Sequence, residues 1–118
     1  MQYRIKWLDT DYTGGNTDVV WGQFTDGNYF YGGSGNYSAY ILDENPGEYH
    51  NNPEEYDGVQ YGDDYNWLLE HSVVELSERE EVEFWIYLIN YCQRNKIRLF
   101  TYDNPNIVLR ELKSFLRR

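Results

Sequence analysis

The chain has 118 residues and a formal net charge of −10 at pH 7, and 19% of its residues are Phe, Trp or Tyr. A length of this order suits one domain, here 1–118. Leu, Ile, Val and Phe number 28, and 13 Tyr and 4 Trp add large buried area per residue, so the chain stands on the folded side of the compositional line for disorder. The negative balance argues against direct binding to nucleic acid or anionic lipid, both of which need cationic surface.

The charge is unevenly placed. Residues 1–64 carry 12 acids and 2 bases, whereas residues 65–118 carry 8 of each. A single cysteine, Cys92, rules out an intramolecular disulfide and favours a reducing compartment. The opening MQYRIKWLDT lacks the apolar core of a signal peptide, and the longest apolar run, Phe84 to Ile89, is too short to span a bilayer. A cytoplasmic protein is expected.

In chain order, QYRIKWL sets Tyr3, Ile5 and Trp7 against Gln2, Arg4 and Lys6, the period of two that marks a half-buried strand. DTDYTGGNT then supplies turn residues, and DVVWGQF, Asp18 to Phe24, is a second strand. Asp26-Gly27 predicts a hairpin turn with both central residues at positive φ. Tyr29 to Tyr31 starts a third strand, Gly32-Gly33-Ser34-Gly35 interrupts it, and Tyr37 to Leu42 resumes as a fourth strand or beyond a bulge. Residues 1–42 therefore read as an antiparallel meander of three or four strands. Residues 43–65 read as a long acidic, Tyr-rich loop without either clean periodicity. A short helix and then a strand over Ser72–Leu76 are expected next. Ser77-Glu78-Arg79-Glu80 has the form of a capping box. Behind it Val82, Trp85, Ile86, Ile89 and Cys92 share one helix face, widened by Phe84, Leu88 and Tyr91. Lys96 to Phe100 alternates and reads as a strand. Asn104-Pro105 opens a last helix with Val108, Leu112, Phe115 and Leu116 as its apolar stripe. The expectation is an α+β domain: a meander, a long acidic loop, and a mainly helical 66–118 whose helix–strand–helix end packs on the sheet.

Few motifs carry chemistry. Asp9-Thr10-Asp11-Tyr12-Thr13-Gly14 resembles the start of an EF-hand calcium loop, but its twelfth position is Val20 where a bidentate glutamate is needed. His50, His71 and Cys92 are scattered, so no metal site is expected. Cys92 with His71 is conceivable as a nucleophile and base only if the fold joins them. Gly32-Gly33-Ser34-Gly35 lacks the lysine of a P-loop. No cofactor and no catalytic residue is expected. Trp7, Trp21, Tyr29, Tyr31 and Tyr37 allow an alternative reading as a carbohydrate-stacking sheet face, with alternate members committed to the core.

The strongest feature is DENPGEYHNNPEEYDGVQYGDDY, Asp43 to Tyr65, with eight carboxylates, four tyrosines and no lysine or arginine. Clustered like charge costs stability unless a partner neutralises it, and tyrosine gives rigid contact area at low entropic cost. Asp43, Glu44, Glu48, Glu54, Glu55, Asp57, Asp63 and Asp64, interleaved with Tyr49, Tyr56 and Tyr61, suit docking into a basic groove. In size, acidity and Asp/Glu/Tyr content the chain resembles phage-encoded inhibitors of host defence, the anti-restriction and anti-CRISPR proteins, several of which mimic DNA. It is similar in the same compositional way to acidic immunity proteins that block nuclease toxins. That resemblance implies a non-enzymatic inhibitor whose partner is a basic nuclease or other nucleic-acid-binding protein. The basic C-terminal residues Arg110, Lys113, Arg117 and Arg118 offer a second use of charge, a head-to-tail contact with the acidic half of another copy.

Overall fold

A computed structural model describes residues 3–15, 17–47, 64–101 and 103–118. Strands β1 (Ile5–Gly14), β2 (Thr17–Phe24), β3 (Tyr29–Gly33) and β4 (Ser38–Leu42) follow one another as an antiparallel meander. The chain then leaves the sheet and returns through helix α1 (Asp64–His71) into a short strand, β5 (Ser72–Val74), which pairs antiparallel with β4. The sheet order is thus β1-β2-β3-β4-β5. Helices α2 (Glu78–Arg94) and α3 (Pro105–Leu116) complete the α+β fold.

Two turns differ from the sequence expectation. The DTDYTG stretch is strand, not turn: Asp9 pairs with Trp21, Thr10 with Val20, Asp11 with Val19 and Tyr12 with Asp18. Thr and Tyr are good strand formers, and long-range pairing with Val19–Trp21 outweighs the turn tendency of two aspartates. The reversal is postponed to Gly15, at φ +60°. The Asp26-Gly27 hairpin forms, but only Gly27 has positive φ. Phe24 N–H donates to the Asn28 carbonyl at 2.8 Å and Gly27 N–H to the Phe24 carbonyl at 3.1 Å, giving a three-residue loop that ends in a left-handed glycine.

The strand alternation assigns one face of the sheet to α2 and α3. Val20, Phe24, Phe30, Ala39 and Ile41 meet Val82, Phe84, Trp85, Leu88, Ile89, Val108, Leu109 and Leu112 in a single core. Phe24, Phe30 and Phe84 form a ring cluster with centroids 4.8–6.2 Å apart. The Trp85 indole N–H donates to the Ser38 carbonyl at 2.8 Å, which satisfies the polar end of the largest fully buried side chain. The ring passes so close to Gly32 that a Cβ there would lie 3.1 Å from Trp85 Cζ2 and 2.6 Å from the Ser38 oxygen.

The Ser77 capping box forms as read from sequence. Glu80 N–H donates to Ser77 Oγ at 3.2 Å, and Ser77 N–H to the Glu80 carboxylate at 3.1 Å. These bonds hold the Glu80 carboxyl below its ordinary pKa. Asn104 caps α3 by accepting from Asn106 N–H, with Pro105 in the first turn. α2 and α3 run antiparallel: Arg79 donates to the Leu116 carbonyl at one end, and Gln93 bonds Asn106 at the other. This pairing sets the basic last turn of α3 beside the acidic first turn of α2, where Arg79 also lies 3.6 Å from Glu83.

Between these helices the expected strand over 96–100 is absent. α2 ends in a reversal: Lys96 N–H bonds the Gln93 carbonyl, Ile97 N–H bonds the Cys92 carbonyl, and Lys96 sits at φ +55°. This is the Schellman pattern with lysine where glycine is usual. The extended residues that follow are pinned by side chains instead of a ladder. Phe100 N–H donates to Asp18 Oδ2 at 2.7 Å, and Ser34 Oγ donates to the Phe100 carbonyl at 2.7 Å. Asp18 N–H donates to the same Ser34 Oγ at 2.8 Å, and Ser34 N–H to the Asp18 carbonyl at 2.9 Å. Asp18 and Ser34 are both buried. Both backbone groups of Phe100 are thus satisfied without a neighbouring strand. Burial pushes the Asp18 carboxyl above its ordinary value, aided by the Asp11 charge and opposed by the Phe100 N–H and by Arg98.

Candidate functional site

The other sheet face is aromatic. Strand register lines up Asp9, Trp21, Tyr31 and Tyr40 in one row across β1–β4, and Trp7, Gln23, Tyr29 and Leu42 in the next. The Trp7 indole N–H donates to Gln23 Oε1 at 3.2 Å, and its ring meets Tyr29 edge-on at 6.4 Å. α1 covers one end of these rows: Trp67 and Leu68 pack with Leu42 against Tyr29, Tyr31 and Tyr40. Pro46 is fully buried and Trp21 is 4% exposed. Gly47 lies against Trp21, where an added Cβ would come within 2.7 Å of the indole nitrogen.

The acidic segment is mounted on this face from both sides. It leaves β4 at Asp43, crosses Trp21 at Pro46-Gly47, and returns in α1. Its two ends are joined: Asp43 N–H donates to the His71 carbonyl at 3.0 Å. His71 Nδ1 lies 3.1 Å from Asp43 Oδ1 and 3.3 Å from Glu44 Oε2, and its ring stacks obliquely on Trp67 at 4.5 Å. The Asp43 and Glu44 side chains are 60% and 47% exposed. The expected partner-binding set therefore divides. Asp43 and Glu44 sit together at the base, and Asp64 opens α1. Glu48, Tyr49, Glu54, Glu55, Tyr56, Asp57, Tyr61 and Asp63 lie outside the described residues. Sequence reasoning weighed His71 as a metal ligand or a base for Cys92 and missed its place at the base of the acidic segment. It is distant in sequence from Asp43, and no spacing rule links the last turn of one helix to the end of an earlier strand.

The other candidates are placed as follows. Asp9 and Asp11 belong to β1, so they do not open a calcium-wrapping loop, and Asp9 Oδ1 accepts from the next backbone N–H. No group of three or more His, Cys, Asp or Glu that could hold a metal ion occurs among the described residues. Cys92 and His71 are on opposite faces of the sheet, one in α2 and one in α1, so they form no nucleophile–base pair. Cys92 is buried, and burial with the nearby Asp18 charge pushes its thiol up to about 11. The aromatic set also splits. Trp7, Trp21, Tyr29 and Tyr31 share the α1 face, whereas Tyr37, at φ +56°, turns to the helix side and meets Trp85 edge-on at 5.5 Å. Among the described residues no helix is long and apolar enough to cross a membrane. No protein-family model, curated protein or solved structure matches this chain.

Proposed function

We propose that this chain is a non-enzymatic inhibitor that acts in the cytosol by docking its acidic segment onto a basic, nucleic-acid-handling protein. The observation that carries the reading is the division of charge. Eight carboxylates and no lysine or arginine fall within 43–65, while residues 65–118 carry eight acids and eight bases. The mounting of the segment supports the same reading. Its ends are tied at Asp43 and His71 and seated on Trp21 and Trp67, so the sheet presents it from a fixed base. Pre-organised ends lower the ordering cost of a docking element. Asp43, Glu44, Glu48, Glu54, Glu55, Asp57, Asp63 and Asp64 pair with Lys and Arg of the target, and Tyr49, Tyr56 and Tyr61 act as anchors. The target's cationic groove is then closed to its nucleic acid. A phage-type anti-defence protein, anti-CRISPR or anti-restriction, is the first assignment. An immunity protein against a nuclease toxin uses the same mechanism on a different partner.

Affinity capture from bacterial lysate at low and high salt tests the proposal, with a variant carrying Glu54→Lys, Glu55→Lys, Asp63→Lys and Asp64→Lys beside the native chain. Charge-steered association weakens as salt shortens the screening length. The expected result is recovery of a basic nuclease or nucleic-acid-binding protein by the native chain at low salt, and its loss with the variant. Equal recovery by both chains would remove the acidic segment from the interface. The captured protein also separates the two assignments, a defence nuclease from a toxin.

A further inference from the structure

β5 is the open edge of the sheet next to α1. It has three residues, and among the described residues its one strand neighbour is β4. Ile41 faces Val74 and Leu42 faces Ser72, which leaves Val73 bulged without an opposite number on β4. Val73 is 48% exposed, Val74 40% and Leu69 of α1 50%, so three of the five large exposed apolar residues among the described residues are gathered here. Two grooves meet at Val73 and Val74. One, of about 490 Å³, runs past Leu69, Tyr40 and Leu76 to Glu75 and Glu81. The other, of about 240 Å³, runs past Ile41, Phe24 and Tyr3 to Asp26. Neither is lined by lysine or arginine. Beyond the end of β5 the edge is blunted, because Glu81 Oε2 accepts the Ala39 N–H at 2.8 Å. The open length is therefore short and bounded by carboxylates.

We propose that this edge is a strand-addition site for an extended segment of a partner protein in which apolar residues alternate with lysine or arginine. Backbone groups of the segment pair with β5 at Val73, its apolar side chains enter the two grooves, and its cations meet Glu75 and Glu81 at one end and Asp26 at the other. Charge selects this occupant over a second copy. Pairing of two β5 edges would join molecules that each carry −10, across grooves lined by Glu75, Glu81 and Asp26 and by no lysine or arginine. The site is separate from the acidic segment, and the inference stands on edge geometry whether or not that segment docks as proposed.

The test uses a short synthetic peptide alternating lysine and valine, titrated into the ¹⁵N-labelled full chain and followed by amide shifts. Shifts are expected at Val73, Val74 and Glu75. The paired change Leu69→Ser and Val73→Thr should weaken binding about tenfold, and Glu75→Gln should lower its salt dependence. The same lysine–valine peptide N-methylated at every backbone amide has the same charge and side chains without the backbone donors, and it should not shift β5. Equal binding of the N-methylated peptide overturns strand addition without recourse to any variant. Shifts confined to residues 43–65 with β5 unmoved overturn the site while leaving the acidic-segment reading intact. Concentration-dependent dimerisation through β5 assigns the edge to a second copy and overturns the proposal.

Discussion

Ser34→Ala is expected to destabilise the fold far more than the loss of one small hydroxyl suggests. The Ser34 Oγ accepts from Asp18 N–H at 2.8 Å and donates to the Phe100 carbonyl at 2.7 Å, and Ser34 is fully buried. Alanine leaves both backbone groups without that partner, and an unsatisfied buried polar group costs about 1–3 kcal/mol. The Phe100 end is part-buried and water restores some of it, so the expected total is about 3 kcal/mol, a large share of a stability of roughly 5–15 kcal/mol. With an unfolding entropy of about 2.1 cal/mol/K per residue, a chain of this length should lose roughly 12 °C in Tm. Circular dichroism melts and urea titrations read the change, with the midpoint lowered and the slope unaltered. Ser114→Ala, on an exposed turn of α3, serves as the control and should stay within about 0.5 kcal/mol of the parent. If Ser34→Ala shifts the midpoint no more than Ser114→Ala, the polar hub is not what holds residues 97–101 on the sheet.

Two other perturbations follow from the same region. Burial raises the Asp18 carboxyl above 3.8 in the folded chain, so the folded state holds that proton more tightly than the unfolded state. The stability it contributes is full below the unfolded value and is lost as pH rises through the folded one. Asp18→Asn keeps an oxygen for the Phe100 N–H and carries no charge. Its urea midpoint should therefore gain on the parent as pH rises from the ordinary aspartate range to neutrality. A difference that stays constant with pH would refute the assignment. Lys96→Gly removes a side chain from a left-handed position that costs an L-residue about 1–2 kcal/mol. After the larger unfolded-state entropy of glycine is subtracted, a net gain of about 0.5–1 kcal/mol is expected in thermal melts. No gain would mean that the helix end is not held in this geometry in solution.

Much of this fold is legible in the sequence because its signals are local. The Ser77 capping box, the Asn104-Pro105 start and the apolar faces of α2 and α3 depend on spacings of a few residues, and all of them form. Period-two alternation likewise marked the start of β1, and turn residues bounded the runs read as β2, β3 and β4. The division of charge and the acidic character of 43–65 need no structure at all.

Contacts distant in sequence decided the rest. Asp9–Gly14 has turn residues, yet it is strand because Asp18–Trp21 pairs with it. Lys96–Phe100 has strand alternation, yet it is not strand because Asp18 and Ser34 take the Phe100 backbone groups. The aromatic residues were visible as a list, but strand register sorted Trp7, Trp21, Tyr29 and Tyr31 to one face and Tyr37 to the other. His71 closes the base of the acidic segment only because β5 returns beside β4. Composition and short-range periodicity are properties of the chain, and this sequence states them openly. Which backbone groups pair, and which charges end up on one surface, depends on sheet order, and that was set by the fold.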